Sequence, residues 1–167
     1  MSAEDHAKNL GAVILNLHSL EFYLRAFLHH LPGSRPLGVK WGTSVFALPV
    51  GTQLPESEIT SYDSLGDLLK RFNREVGSRG IGGPIDVTLV DLRDALAHGR
   101  VARDRRDNTR RLIKFSRPKN GFVTVTYNEV LTPAWLKKQG RRVVDAIETV
   151  HLAYKTLPEP TPVQPFP

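Results

Sequence analysis

Asp86-Val87-Thr88-Leu89-Val90-Asp91-Leu92-Arg93-Asp94-Ala95-Leu96-Ala97-His98-Gly99-Arg100 reads as an amphipathic helix that stops at Gly99 and carries an arginine, an aspartate and a histidine near its end. With Leu89 at zero and about 100° per residue, Ile85, Leu92 and Leu96 fall within about 60° of it and make a core face. Arg93 lies at about 40°, on the edge of that face, while Asp94 at about 140° and His98 at about 180° share the outer face one turn apart. An aspartate four residues before a histidine can orient the imidazole and favour its protonated form. Arg93 and His98 do not point the same way on an undistorted helix. Three arrangements reconcile them: Arg93 reaches around, the last turn deforms, or a second copy packs face to face so that two arginines and two histidines share one cleft.

The residues that follow this helix carry the net charge. Residues 100–119 hold Arg100, Arg103, Arg105, Arg106, Arg110, Arg111, Lys114, Arg117 and Lys119 against only Asp104 and Asp107, so this strip accounts for the whole excess of +6 and leaves the rest of the chain slightly acidic. A strip of that kind suits a polyanionic partner such as nucleic acid, with Arg100, Arg103, Arg105, Arg106, Arg110 and Arg111 as the contacts. The plain alternative is a solvated loop that aids solubility.

Working outward, residues 7–31 place Leu10, Val13, Ile14, Leu17, Leu20, Leu24, Phe27, Leu28 and Leu31 at the spacing of a long amphipathic helix, stopped by Pro32-Gly33. Glu21 falls inside that stripe, where a carboxylate needs a basic partner; pairing with Arg25 at i+4 is the surface alternative. Residues 33–62 read as irregular, with Ser44 to Val50 as a possible short strand and Trp41 and Phe46 as core cover. Ser64-Leu65-Gly66-Asp67 opens a second helix with a capping-box-like start, ending at Gly77. The glycines that follow lack the lysine and Ser/Thr of a phosphate loop, and Pro84 is expected in the first turn of the central helix. Residues 112–116 and 122–127 form a β-hairpin around Asn120-Gly121. Thr132-Pro133 caps a last helix running to about Lys155, with Leu136, Val143, Val144, Ile147, Val150 and Tyr154 inward.

Leu92-Arg93-Asp94-Ala95-Leu96-Ala97-His98-Gly99 resembles the arginine-polar-x-x-x-histidine signature of the HEPN superfamily, helical domains of which many are ribonucleases. The surrounding helices agree with it, including the long first helix with Asn16 and Glu21. Arg25-Ala26-Phe27-Leu28-His29-His30 has the same spacing, but alanine follows its arginine and no glycine closes it. The resemblance implies an all-α, four-helix HEPN-like bundle with a small β-hairpin insertion before the last helix, spanning residues 1–156; the tail at 157–167, with five prolines in eleven residues, reads as extended or disordered. The same resemblance implies metal-independent RNA cleavage at a homodimer cleft without a cofactor. On that reading His98 is general acid or base, Arg93 stabilises charge on the phosphorane, Asp94 orients His98, Glu21 and Asn16 support them, and the basic strip holds the RNA backbone. It further implies a toxin–antitoxin or phage-defence setting with a nucleotidyltransferase-type antitoxin. A non-catalytic RNA-binding or dimeric interaction module of the same fold is the alternative.

Other chemistry is excluded by what is missing from the sequence. No cysteine is present, which removes disulfides, thiolate zinc sites and cysteine nucleophiles. No HExxH set, nucleophile elbow or dinucleotide fingerprint occurs. Met1-Ser2-Ala3-Glu4-Asp5-His6 lacks the basic start of a secretory signal, and Asn16, His18, Glu21 and Arg25 interrupt the apolar runs, so a soluble cytoplasmic protein with no membrane partner is expected.

Overall fold

The computed structural model describes residues 3–39 and 43–158; Trp41 and the tail beyond residue 158 lie outside the described residues. In chain order it contains α1 (Ala3–His30), a single 3-10 turn (Val45–Ala47), α2 (Leu65–Arg79), α3 (Leu89–His98), β1 (Arg100–Arg103), β2 (Arg110–Phe115), β3 (Val125–Val130) and α4 (Pro133–Lys155). The strands form one antiparallel sheet in the order β1-β2-β3. This corrects the expectation of an all-α bundle with an inserted hairpin, because the fold mixes four helices with a sheet that supplies part of the core. No described helix is long and apolar enough to cross a membrane.

The chain divides into two compact units, Met1–Leu20 with Ile85–Glu148, and Glu21–Pro84 with Thr149–Pro167; α1 and α4 contribute residues to both. In the second unit Leu24, Phe27, Leu28, Leu65, Leu68, Leu69, Phe72 and Val76 are buried, and the Phe27 and Phe72 rings meet edge to face at 4.8 Å. Ser64 caps α2 by accepting the Asp67 amide. The helix runs past Gly77 to Gly80, whose φ of 66° supplies the left-handed turn that closes it. An exposed glycine inside a helix costs about 1 kcal/mol relative to alanine, which buried residues on the other face offset. Residues 45–47 form a 3-10 turn instead of the expected strand, and Phe46 is largely exposed, its ring 5.3 Å from that of Phe22.

In the first unit α3 lies against the sheet. Ala95, Leu112 and Leu131 form a buried cluster ringed by Leu96, Tyr127 and Trp135. Thr132 caps α4 by accepting the Trp135 amide at 3.0 Å. The Asn120-Gly121 turn forms as expected: both residues have positive φ, 51° and 79°, and Lys119 and Phe122 exchange backbone hydrogen bonds across it. The strands it joins begin and end elsewhere than the sequence suggests, with β3 starting at Val125.

Candidate functional site

The central helix is shorter than expected, because residues 86–88 form a turn ahead of it. Asp86 accepts the Thr88 amide at 2.9 Å and the Thr88 hydroxyl at 2.7 Å, and Arg142 of α4 donates to Asp86 at 2.8 Å. These bonds, the Thr88 ones foremost, hold the Asp86 carboxyl down at about 2. The aspartate thereby fixes where α3 starts, a role its composition alone conceals. Pro84 stays outside the helix.

The other end of α3 is set by Gly99. Its backbone is extended, with φ −78° and ψ 178°, so conformation does not demand glycine. Space does. A Cβ at residue 99 would stand 2.3 Å from the Ala95 carbonyl oxygen, 2.8 Å from a Leu112 methyl and 3.0 Å from the Ile113 carbonyl oxygen. The helix can therefore turn directly into β1 only with no side chain at that point, and this places His98 two residues from the edge of the sheet.

Burial also turns the helix relative to the sequence expectation. Leu89, Leu92 and Ala95 are buried, whereas Leu96 is only half-buried. Ala95 lies about 120° from Leu89, on the side away from Arg93. Its small side chain lets the sheet approach closely. The core face shifts in that direction, and the Arg93 side chain, expected at the core edge, is 32% exposed.

Arg93 Nη1 lies 3.4 Å from Asp94 Oδ1, and Lys114 Nζ of β2 lies 3.5 Å from Asp94 Oδ2. Asp94 thus sits between two cations. The His98 ring is exposed and takes part in no hydrogen bond or ion pair among the described residues. The expected orientation of His98 by Asp94 is therefore not what the geometry displays; the carboxylate faces Arg93 and Lys114 instead. Lys114, counted in the basic strip, was not expected beside the central helix. Register places it on the helix side instead, because it alternates with Arg110 and buried Leu112, and Tyr127 stands directly opposite it. That assignment needs strand register, which the sequence does not display. Asn16 and Glu21 are both half-buried on α1. Arg25, the expected surface partner of Glu21, donates instead to the Ser61 carbonyl and hydroxyl and to the Asp63 carbonyl at 2.7–2.8 Å.

The basic strip comprises β1, β2 and the turns beside them, and its charges are unequally free. Arg106 pairs with Asp104 at 3.2 Å, and Arg111 lies 3.5 Å from Asp104 and 3.7 Å from Asp107. Both aspartates sit in the β1–β2 turn and are held below the usual carboxylate range, Asp104 chiefly by Arg106 and Asp107 chiefly by Thr109. Arg103 donates to Asn108 at 2.9 Å, and the Arg100 guanidinium lies over the Phe115 ring at 5.3 Å. Arg105, Arg117 and Lys119 make no side-chain hydrogen bond or ion pair among the described residues. Arg110 is half-buried near His6; burial, then this positive neighbour, hold the His6 pKa below its ordinary value. Among the described residues no group of three or more His, Asp or Glu side chains is placed to hold a metal ion.

Comparison with protein-family models, curated proteins and solved structures gives no match for this chain.

Proposed function

We propose that this chain is a metal-independent endoribonuclease of HEPN type that acts as a homodimer in the cytoplasm, in a toxin–antitoxin or phage-defence setting with a nucleotidyltransferase-type antitoxin. The observation that carries the reading is the end of α3. An exposed, unengaged His98 and a part-exposed Arg93 stand on one short helix that runs straight into the basic strip. In the reaction the 2′-oxygen of a ribose attacks the adjacent phosphorus, its proton passes to a base, and the 5′-oxygen leaves with a proton from an acid. The products are a 2′,3′-cyclic phosphate and a 5′-hydroxyl. His98 can serve as base or acid, and a second copy brings a second His98 for the complementary step. Arg93, and beside it Lys114, would stabilise charge on the phosphorane oxygens, with Asp94 holding the two cations together.

A second reading, a non-catalytic RNA-binding or dimeric interaction module, is favoured by one specific observation. Asp94 faces Arg93 and Lys114, and nothing among the described residues fixes the His98 ring. Purified protein incubated with RNA in EDTA separates the two. The first reading expects cleavage that Arg93→Ala and His98→Ala each lower by a factor on the order of 10²–10⁴ without unfolding the chain. Cleavage retained in both variants, or absent from the parent protein, rejects it.

A further inference from the structure

The three strands have two unlike faces. Directly opposed residues share a face, and successive residues along a strand change face, except where the register shift between Lys114 and Phe115 brings Val125 opposite Phe115. Leu112 is buried against α3, so Arg110, Lys114 and Tyr127 share the helix side. The other side therefore carries Arg100 and Ala102 of β1, Arg111, Ile113 and Phe115 of β2, and Val125, Asn128 and Val130 of β3. Leu112 is the strands' one buried residue among the described residues, so nothing on this outward face is buried. Five of its eight residues are apolar, Val125 is half-exposed, and Phe115 has a guanidinium lying over its ring.

Charge frames this apolar strip at both ends. Arg105 and Arg106 lie in the turn before β2, and Arg117 and Lys119 follow its end, leading to the largely exposed Phe122 at the hairpin tip. Arg111 on the strip is already neutralised by Asp104 and Asp107 and braces the turn. The six residues of β2 span about 20 Å, the reach of a few extended nucleotides.

We propose that this outward face is a platform for single-stranded RNA, on which a base stacks against the Arg100 guanidinium and Phe115 while the cations at each end hold phosphates. This rests on the reading above that the partner is RNA, and adds that the strand must be unpaired where it meets the sheet. An aromatic ring and a guanidinium plane bind the face of an unstacked base, whereas a duplex presents phosphates and keeps its base faces covered. A second copy of the chain is the poorer occupant, because it would bring the same strongly positive strip against the first. Only Gly99 separates Arg100 from His98, which limits the gap between their Cα atoms to about 7 Å. The end of the platform that holds the stacked base therefore adjoins the candidate catalytic histidine, so a strand lying along it presents a flexible, attackable phosphate there.

The test measures fluorescence anisotropy with 2′-O-methyl RNA, which has no free 2′-hydroxyl and so cannot be cleaved, as a single strand of roughly a dozen nucleotides and as a duplex of equal length. The full chain is expected to bind the single strand about tenfold more tightly than the duplex. Phe115→Leu should weaken single-strand binding roughly 5- to 100-fold, and Phe115→Tyr should leave it near the parent value. Arg100→Gln, which leaves the ring in place, should also weaken it, which guards against a folding defect at residue 115. Equal or tighter duplex binding overturns the platform, as does a Phe115→Leu protein that binds as the parent does. A Phe115→Leu change that instead splits a dimer, seen by sedimentation, assigns the face to a second copy and also overturns it. If His98-dependent cleavage of ordinary RNA persists while the Phe115 variants bind unchanged, the ribonuclease reading stands and only the platform falls. If no RNA is bound at all, both fall.

Discussion

The chain carries the Arg-x4-His spacing twice, and the two copies meet opposite fates. In α1, Arg25 donates three hydrogen bonds to Ser61 and Asp63, and so secures the segment that leads into α2. Its companion His30 has both ring nitrogens engaged: Nε2 lies 2.9 Å from the Pro158 carbonyl oxygen and Nδ1 3.1 Å from the Tyr154 hydroxyl. A carbonyl only accepts, so Nε2 donates to Pro158, and Nδ1 faces the Tyr154 hydroxyl. In α3, Arg93 is part-exposed and the His98 ring is unengaged among the described residues. The same spacing therefore yields a structural staple in one place and, in the other, a part-exposed arginine paired with Asp94 beside an exposed imidazole. Spacing proposes a site; what the side chains are already holding decides it.

Stability measurements can break this contrast, and the largest effect is expected at Gly99. A Cβ there meets two backbone oxygens that cannot move independently, so Gly99→Ala should cost about 3 kcal/mol in denaturant unfolding. A variant as stable as the parent would mean that α3 does not depend on its tight junction with β1. Next comes Arg25→Ala. Its three lost hydrogen bonds should cost about 2 kcal/mol, read as a fall in melting temperature, yet leave any RNA cleavage intact. The reverse pattern, stability kept and cleavage lost, would move the functional motif to α1.

The smallest effect concerns His6, which is buried, has no hydrogen-bond partner for Nε2 among the described residues and has a lowered pKa. The unfolded chain then binds a proton more readily than the folded one, so stability should decline as pH falls below the ordinary histidine value of 6.5 and level off below the folded-state pKa. Thermal melts from neutral to mildly acid pH should show a shallower decline in His6→Gln, and equal slopes would remove His6 from the account.

Much of this architecture is legible in the sequence, for reasons particular residues make plain. α1 and α4 have apolar stripes long enough to show the helical period, Ser64 and Thr132 mark helix starts, and Asn120-Gly121 marks its turn. β1 is not legible. Its four residues, Arg-Val-Ala-Arg, are all exposed, so no alternation of buried and exposed positions records the strand. Its existence depends on pairing with β2, a non-local fact, and without it the chain reads as a helical bundle. The candidate site divides the same way. Arg93, Asp94, His98 and Gly99 stand out as a local motif, but Lys114 reaches Asp94 only through strand register, and the shift of the α3 core face toward Ala95 depends on the sheet behind it.

The contrast between the two motifs reduces to one measurement: initial rates of RNA cleavage in EDTA for the parent chain, His98→Ala and His30→Ala, side by side. The account predicts a loss on the order of 10²–10⁴ for His98→Ala and a rate within about twofold of the parent for His30→Ala. A His98→Ala protein that cleaves like the parent, or a His30→Ala protein that is folded but inactive, would contradict it.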